Sequence, residues 1–389
     1  MRKNIEKASE NIRLQEGFPV IEQLILECYL KPGISTKNLA RKALLPVPVA
    51  TAIKKELIKA DVLKQDRGVR CTNEANTFIE NEWKYRGLNK ALYQTCMENT
   101  VDLKREFSDT LLQLEALFQL RPQVNVQIDQ SACTPETSLK RALLCLQEHS
   151  LIGKQILCVG DDDLVSVSLG FLLKRLFPNE TGDKAFIDVV DIDERFLSFI
   201  REIAEKESLP IKCHQVDLRQ PLPEKMLGQF DCFFTDPPYT LQGMSLFVSR
   251  GISALKRMKG LPMFLSFAHK SPDVTLAMQR EFVRMGLVIN EMLPRFNEYN
   301  GAQMIGNRSQ MIILKTTDQT TPEFTAPFED ALYTGEVKRT VRTYRCKQCG
   351  EATLVGFQRD ISTIEELKNQ GCPNCKNDTF DLIAKKEVD

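Results

Sequence analysis

The chain changes its hydrophobic period more than once. From Ile21 to Trp83 apolar positions recur at helical spacing with short breaks: "IEQLILECYL" predicts one amphipathic helix, "STKNLARKA" a second with Ser35 or Thr36 as N-cap, and "PVATAIKKELIKADVL" a third. "LKQDRGVRCTNEA" then supplies two short strand-like pieces around Arg67-Gly68, so residues 18–86 are expected to form a winged helix-turn-helix. Residues 87–150 read as a helical connector. Its last helix has Thr134 as N-cap, Pro135 at the first helical position, and Glu136 and Thr137 in the first turn.

From Gly153 to Thr316 apolar strand-like runs alternate with helical patterns. The runs are "QILCVG", "FIDVVDID", "IKCHQVD", "FDCFFTD", "PMFLSFA", "LVINEMLPRF" and "SQMIILKT", which as βαβ units build a mostly parallel sheet. Seven strands in this order, the last two placed for a hairpin, predict a Rossmann-like α/β domain of the class I methyltransferase type over 151–318. Open sheets of this kind bind ligands at the carboxyl ends of their strands.

Composition narrows the class: 42% hydrophobic and 27% charged residues are usual for a soluble globular chain. No apolar run approaches the roughly 20 residues of a membrane span. The segment "MRKNIEKASENIRLQEG" lacks the apolar centre of a secretory signal, so the expected location is the cytoplasm, with no membrane partner. Eight of the 12 cysteines stand singly in apolar stretches, Cys28, Cys145, Cys158 and Cys232 among them, and read as small core residues. The net charge of zero hides an uneven distribution: residues 1–90 carry 17 Lys+Arg against 11 Asp+Glu, and residues 158–240 carry 16 Asp+Glu against 9 Lys+Arg. The third N-terminal helix sets Lys54, Lys55 and Lys59 against Glu56 and Asp61, too modest a balance to favour DNA binding over packing or dimer contacts.

The acids collect at the strand ends. Asp161, Asp162 and Asp163 follow Gly160 after the first strand, Asp191 and Asp193 close the second, Asp217 ends the third, and "TDPPYT" ends the fourth. Asp191 lies 31 residues after Gly160, farther than a dinucleotide fingerprint requires, and the loop "FPNETGDK" accounts for the excess. A carboxylate there suits ribose hydroxyls, and Asp217 suits an adenine amino group. A strand-end Asp is also a common helix cap, but acids at four consecutive ends point to an adenosine-type ligand.

Asp236-Pro237-Pro238-Tyr239 is the sharper signal. In amino methyltransferases this tetrapeptide holds an amine nucleophile: the acid and a proline carbonyl accept its N–H groups, and the ring stacks on it. Pro-Pro after a strand also makes a stiff turn. Three carboxylates at the first loop would repel the α-carboxylate of S-adenosylmethionine by something on the order of several kcal/mol in a partly desolvated cleft. They favour a donor that lacks this group and ends in an ammonium, together with a polycationic acceptor.

Gly160-Asp161-Asp162-Asp163 and Asp236-Pro237-Pro238-Tyr239, with "CTPETSLKRALL" upstream and "PRFNEYNGAQMIGNRSQMIIL" downstream, resemble the branched-chain polyamine synthase family, the N4-bis(aminopropyl)spermidine synthases. The likeness runs roughly from Ile21 to Lys315. It implies transfer of aminopropyl groups from decarboxylated S-adenosylmethionine to the internal secondary amine of spermidine, first to a tertiary and then to a quaternary nitrogen. Methylthioadenosine is released each time. It also implies a homodimer, with the N-terminal domain serving the dimer rather than DNA. On this reading Asp162 or Asp236 accepts the proton of the attacking amine. Asp161, Asp163 and Glu298 hold its outer ammonium groups, the Pro237 carbonyl helps grip it, and Tyr239 and Tyr299 add cation–π contact. The donor falls to Gly160, Asp191, Asp193 and Asp217.

"YRCKQCG…GCPNCKNDTF" places Cys346 and Cys349 ahead of Cys372 and Cys375, with Gly350 and Gly371 beside them. Paired CxxC motifs read as a zinc ribbon over 340–385 with a closed four-thiolate structural site, and iron accepts the same ligands. This segment departs from the family pattern, which ends in a flexible, often acidic tail. An alternative reading combines the terminal modules with the tetrapeptide into a nucleic-acid amino methyltransferase, and another makes the chain a nucleotide-sensing regulator. The acidic crevice opposes the first because it would repel a phosphate backbone, and the second leaves the tetrapeptide unexplained.

Overall fold

The central strands that carry the acids, Gln155–Val159 and Cys232–Thr235, are apolar on both faces, because helices cover both sides of a parallel sheet. In the computed structural model the described residues are 1–389 apart from 13–14, 16, 99–100, 181, 303–304, 335–339, 357–358, 362–363 and 388–389. Gln303 and Met304 of the "PRFNEYNGAQMIGNRSQMIIL" segment therefore lie outside the described residues. The chain divides into two compact units: Met1–Val124, Ser131–Pro237 and Ser245–Phe328 form one, and Asn125–Gln130, Pro238–Met244 and Glu329–Asp389 the other.

In the first unit the N-terminal segment runs α1 (Arg2–Ile12), α2 (Phe18–Leu30), α3 (Thr36–Lys42), α4 (Val47–Lys59), β1 (Leu63–Gln65), β2 (Val69–Cys71) and α5 (Asn73–Asn81). Ser35 caps α3, its hydroxyl accepting from the Asn38 N–H at 3.2 Å. β1 and β2 pair antiparallel around Arg67-Gly68. Gly68 has φ +114° and passes so close to Gly33 that a Cβ would lie 2.1 Å from the Gly33 carbonyl oxygen. The sequence pattern did not announce α1, whose apolar stripe amounts to little more than Ile5 and Ala8. The connector contributes α6 (Lys90–Cys96), α7 (Leu103–Glu106), α8 (Ser108–Leu120), the short strand β3 (Ala132–Cys133) and α9 (Pro135–Gln147). Ile21, Ile25, Ile53 and Leu57 join Leu139 and Leu146 of α9 in one continuous core, so the N-terminal helices are packed rather than tethered.

The remainder follows as β4 (Gln155–Val159), α10 (Val165–Leu176), β5 (Phe186–Asp191), α11 (Glu194–Glu207), β6 (Ile211–Gln215), β7 (Cys232–Thr235), α12 (Leu241–Ala254), β8 (Pro262–Ala268), α13 (Pro272–Arg284), β9 (Leu287–Asn300) and β10 (Arg308–Thr316). They form a sheet in the order β3-β9-β10-β8-β7-β4-β5-β6. The β4–β8 strands pair parallel, and β10 is inserted antiparallel between β8 and β9. This is the Rossmann-like methyltransferase-type arrangement, with one short strand, β3, beyond the seven expected. Burial follows position: β7 and β8 are wholly buried, whereas edge strand β6 is half exposed along its length.

In the second unit, β11 (Thr340–Cys346) pairs with β12 (Ala352–Gly356) on one side and β13 (Phe380–Glu387) on the other, with helix α14 (Ile364–Gln370) between them in the chain. Val355, Ile361 and Leu367 make its small core. Among the described residues no helix is long and apolar enough to cross a membrane.

Candidate active site

At the end of β4 the chain turns at Gly160, with φ +76°. Asp191, at the end of neighbouring β5, receives the Asp161 N–H on one carboxylate oxygen (3.0 Å) and the Asp193 N–H on the other (2.8 Å). Leu164 stands at the start of α10 in the left-handed region and offers no capping side chain. Asp161 takes that role, its two oxygens accepting from the N–H groups of Val165 (2.7 Å) and Ser166 (3.1 Å). The N-terminus of α10, which would otherwise attract an anionic ligand group, is thus filled by a resident carboxylate. Burial pushes Asp161 up to about 7 in spite of these hydrogen bonds.

The other two acids of the triplet point elsewhere. Asp162 accepts from the Ser131 N–H at 3.0 Å. Burial raises its pKa well above the carboxylate range, and the neighbouring Asp163, Asp191 and Asp236 add to the rise. Asp163 is buried, accepting from the Cys133 N–H at 3.0 Å and from Arg141 Nη1 at 2.5 Å. Burial works against its ionised form, but the Arg141 guanidinium wins and holds Asp163 below its ordinary value. Asp236, after β7, takes Arg141 Nη2 at 3.0 Å and the Tyr299 hydroxyl at 2.6 Å on one oxygen. Burial nevertheless lifts it to about 7.

Arg141, Asn297 and Ser309 complete the cluster and were not anticipated from the sequence. Arg141 lies on the buried face of α9 with Ser138, Ala142 and Cys145. A charged residue at helical spacing within a buried stripe was the signal available, since such a position holds a charge only if partners await it. Asn297 is buried, accepts from Arg141 Nε at 2.9 Å, and donates to Ser309 Oγ at 2.9 Å and the Gln310 carbonyl at 3.1 Å.

The remaining predicted residues divide by position. Tyr299 joins the cluster through its hydroxyl. Glu298 belongs to the opposite face of β9, because side chains alternate along a strand, and pairs at 3.0 Å with Arg308. Asp193 caps α11 through the Arg195 N–H and also pairs with the Arg195 guanidinium at 2.6 Å. Asp217 accepts the Arg219 N–H at 2.9 Å in the loop after β6. Pro237 ends the first unit's segment, and Tyr239 stands half-buried in the bend before α12.

In the second unit the Sγ atoms of Cys346, Cys349, Cys372 and Cys375 all lie within 4.8 Å of one another. Cys346 to Cys375 and Cys349 to Cys372 are each 3.5 Å apart. A tetrahedral zinc with bonds of about 2.3 Å sets sulfurs roughly 3.8 Å apart, so the four thiols fit the ion. Asn377 Nδ2 donates to Cys346 Sγ at 3.3 Å, the outer support typical of a thiolate ligand.

A model of the branched-chain polyamine synthase A C-terminal domain matches residues 109–351, more than half of the chain. The chain belongs to the branched-chain polyamine synthase family. The N(4)-bis(aminopropyl)spermidine synthase of Methanocaldococcus jannaschii is 32% identical over 301 residues, covering 76% of this chain and 83% of its own. That of Thermococcus kodakarensis is 33% identical over 260 residues, covering 65% and 70%. A second Methanocaldococcus jannaschii protein, described only as uncharacterized, is 35% identical over 386 residues and spans 99% of this chain and 93% of its own. The crystal structure of the branched-chain polyamine synthase from Thermus thermophilus, in complex with N4-aminopropylspermidine and 5′-methylthioadenosine, aligns with a TM-score of 0.50 at 24% identity, covering 86% of this chain and 98% of that one. At that identity it bears on the fold alone.

Proposed function

We propose that the protein is an aminopropyltransferase that moves aminopropyl groups from decarboxylated S-adenosylmethionine to the internal N4 amine of spermidine, giving N4-aminopropylspermidine and N4-bis(aminopropyl)spermidine. Beside family membership, one observation carries this reading. Asp162, Asp163 and Asp236 come together at adjacent strand ends in a buried cluster holding one guanidinium. Such a cluster attracts cations, and Asp161 already occupies the helix terminus that an α-carboxylate would seek.

The protonated internal amine first gives its proton to a carboxylate, Asp162 or Asp236, whose raised affinity for protons suits the task. The freed lone pair forms a bond to the aminopropyl carbon, the C–S bond breaks, and its electron pair neutralises the sulfonium as methylthioadenosine. The new tertiary ammonium loses its proton before a second attack makes the quaternary nitrogen. Surrounding carboxylates stabilise the cationic product. Asp161 and Asp163 add negative potential at the acceptor end, the Pro237 carbonyl accepts from the amine, and Tyr299 holds Asp236. Gly160, Asp191, Asp193 and Asp217 form the donor side of the crevice. A working division into 18–86, 87–150, 151–318 and 340–385 follows the changes in sequence pattern, with the ribbon holding structural zinc. We further assign the enzyme to the cytoplasm, as its scattered free thiols suggest, and to a homodimer, as the packed but weakly basic N-terminal segment suggests.

The test is to incubate the purified protein with decarboxylated S-adenosylmethionine and spermidine and to follow methylthioadenosine and branched products by mass spectrometry. Methyl transfer from S-adenosylmethionine to nucleic acid, with no aminopropyl transfer, would overturn the reading.

A further inference from the structure

The charge at the centre of the acid cluster belongs to the protein itself. Arg141 is 2% exposed, and three elements of the fold converge on it. Nη1 meets Asp163 at 2.5 Å, Nη2 meets both Asp236 and the Tyr299 hydroxyl at 3.0 Å, and Nε meets Asn297 at 2.9 Å. Each partner is itself fixed. Asn297 is oriented by Ser309 and the Gln310 carbonyl, Asp163 by the Cys133 N–H, and Tyr299 by its donation to Asp236. A planar fork bound at Nε, Nη1 and Nη2 fixes the carboxylates in direction as well as distance, which a point charge does not.

We propose that Arg141 is a positioning residue for aminopropyl transfer, clamping Asp163 and Asp236 in one geometry and allowing both to be ionised when the cationic acceptor arrives. This rests on the aminopropyltransferase reading for its catalytic consequence, but not for the clamp. Two close carboxyls in a buried site do not both ionise without a compensating charge. Stability alone does not explain the arrangement, because buried ion pairs are often replaceable by apolar groups at little cost. Asp162 has no Lys or Arg within ion-pair distance among the described residues and accepts from the Ser131 N–H, so the clamp divides the three acids into a pair held by Arg141 and one held by the backbone.

The experiment compares wild type, Arg141→Lys and Arg141→Met. Steady-state methylthioadenosine release is measured across pH, together with thermal midpoints and carboxyl titrations by NMR of aspartate-labelled protein. Arg141→Met is expected to lower kcat by about 100-fold or more, to move the acidic limb of the rate profile to higher pH, and to raise the titration of one cluster carboxyl. Arg141→Lys keeps the charge but not the fork, and should recover part of the rate and most of the titration. A folded Arg141→Met with wild-type rate profile and wild-type titrations overturns the proposal. So does a loss equal at every pH, unrescued by lysine, with unchanged titrations in the folded fraction, which would mark a purely structural role. A wild type inactive toward decarboxylated S-adenosylmethionine and spermidine sinks the functional reading instead, while the titrations still decide the clamp.

Discussion

The two ends of the β4–β8 sheet solve the burial of charge in opposite ways. At the carboxyl ends Asp163 and Asp236 share the Arg141 guanidinium, Asp162 has no basic partner among the described residues, and the three proton affinities are pulled apart. At the amino ends a cavity of about 780 Å³ is lined by residues of the N-terminal helices, α9 and the sheet, and lysines there are paired with carboxylates. Lys154 meets Glu22 at 2.7 Å, Lys256 meets Asp231 at 2.7 Å, and Lys315 meets Glu148 at 2.9 Å. Half-buried His149, with Lys154, Lys42 and Lys315 nearby, is pushed down to about 4, chiefly by desolvation. Matched pairs tie elements of the first unit together, whereas three carboxylates gathered around one arginine among the described residues favour a ligand that brings positive charge. The difference between the ends is therefore evidence about function, which burial alone is not.

The largest expected effect breaks the unmatched end. Asp162→Asn and Asp236→Asn should each lower methylthioadenosine release by roughly 100-fold to 10,000-fold, the usual range for losing a proton acceptor. Near-normal turnover in both would remove the catalytic assignment. In wild type, kcat/KM should rise with pH through about 7, where Asp236 loses its proton.

Stability against pH should sharpen the contrast, because the two ends carry opposite signs. Asp161 has a folded-state value raised from 3.8 to about 7, so its contribution is fully present below 3.8 and is lost as pH rises through 7. His149 has a value lowered from 6.5 to about 4, so its contribution is present above 6.5 and is lost as pH falls through 4. Between pH 4 and 7 stability should fall less with rising pH in Asp161→Asn, and between pH 6.5 and 4 it should fall less with falling pH in His149→Gln, each by the order of a few kcal/mol across its window, read as thermal midpoints. Parallel shifts in both variants would contradict the assignment of signs.

Breaking a matched pair is a smaller matter. Lys154→Met should cost roughly 1–3 kcal/mol in denaturant unfolding while leaving kcat within about twofold, because Lys154 is remote from the acid cluster. A large loss of turnover with unchanged stability would erase the distinction between the ends. Smallest is the cap that starts α9: Thr134 accepts the Thr137 N–H at 3.2 Å. Thr134→Ala should therefore cost about 1 kcal/mol, read as a shift in denaturant midpoint at constant slope.

Much of the fold was legible because its causes are local. The seven predicted strands occur close to their expected bounds, and Ser35 and Thr134 cap the helices they precede. Paired CxxC spacing sufficed to bring four thiols together, since each pair is closed by its own short turn. Where prediction stopped short, the cause was distance along the chain. β3 is two residues long and exists only because β9 offers an edge to pair with. Glu298 and Tyr299 are neighbours in sequence, yet only Tyr299 faces Asp236, a matter of strand phase.

By itself, then, the sequence determined the order of elements, the strand ends at which acids gather, and the ribbon's ligands, all of which follow from periodicity, capping and short-range spacing. Tertiary structure alone decided how the acids differ. It turned Asp161 inward to cap α10, left Asp162 without a basic partner among the described residues, and set Arg141 between Asp163, 22 residues away, and Asp236, 95 residues away. Proton affinity depends on burial and on charges nearby in space, and neither is encoded in the residues adjoining a carboxylate.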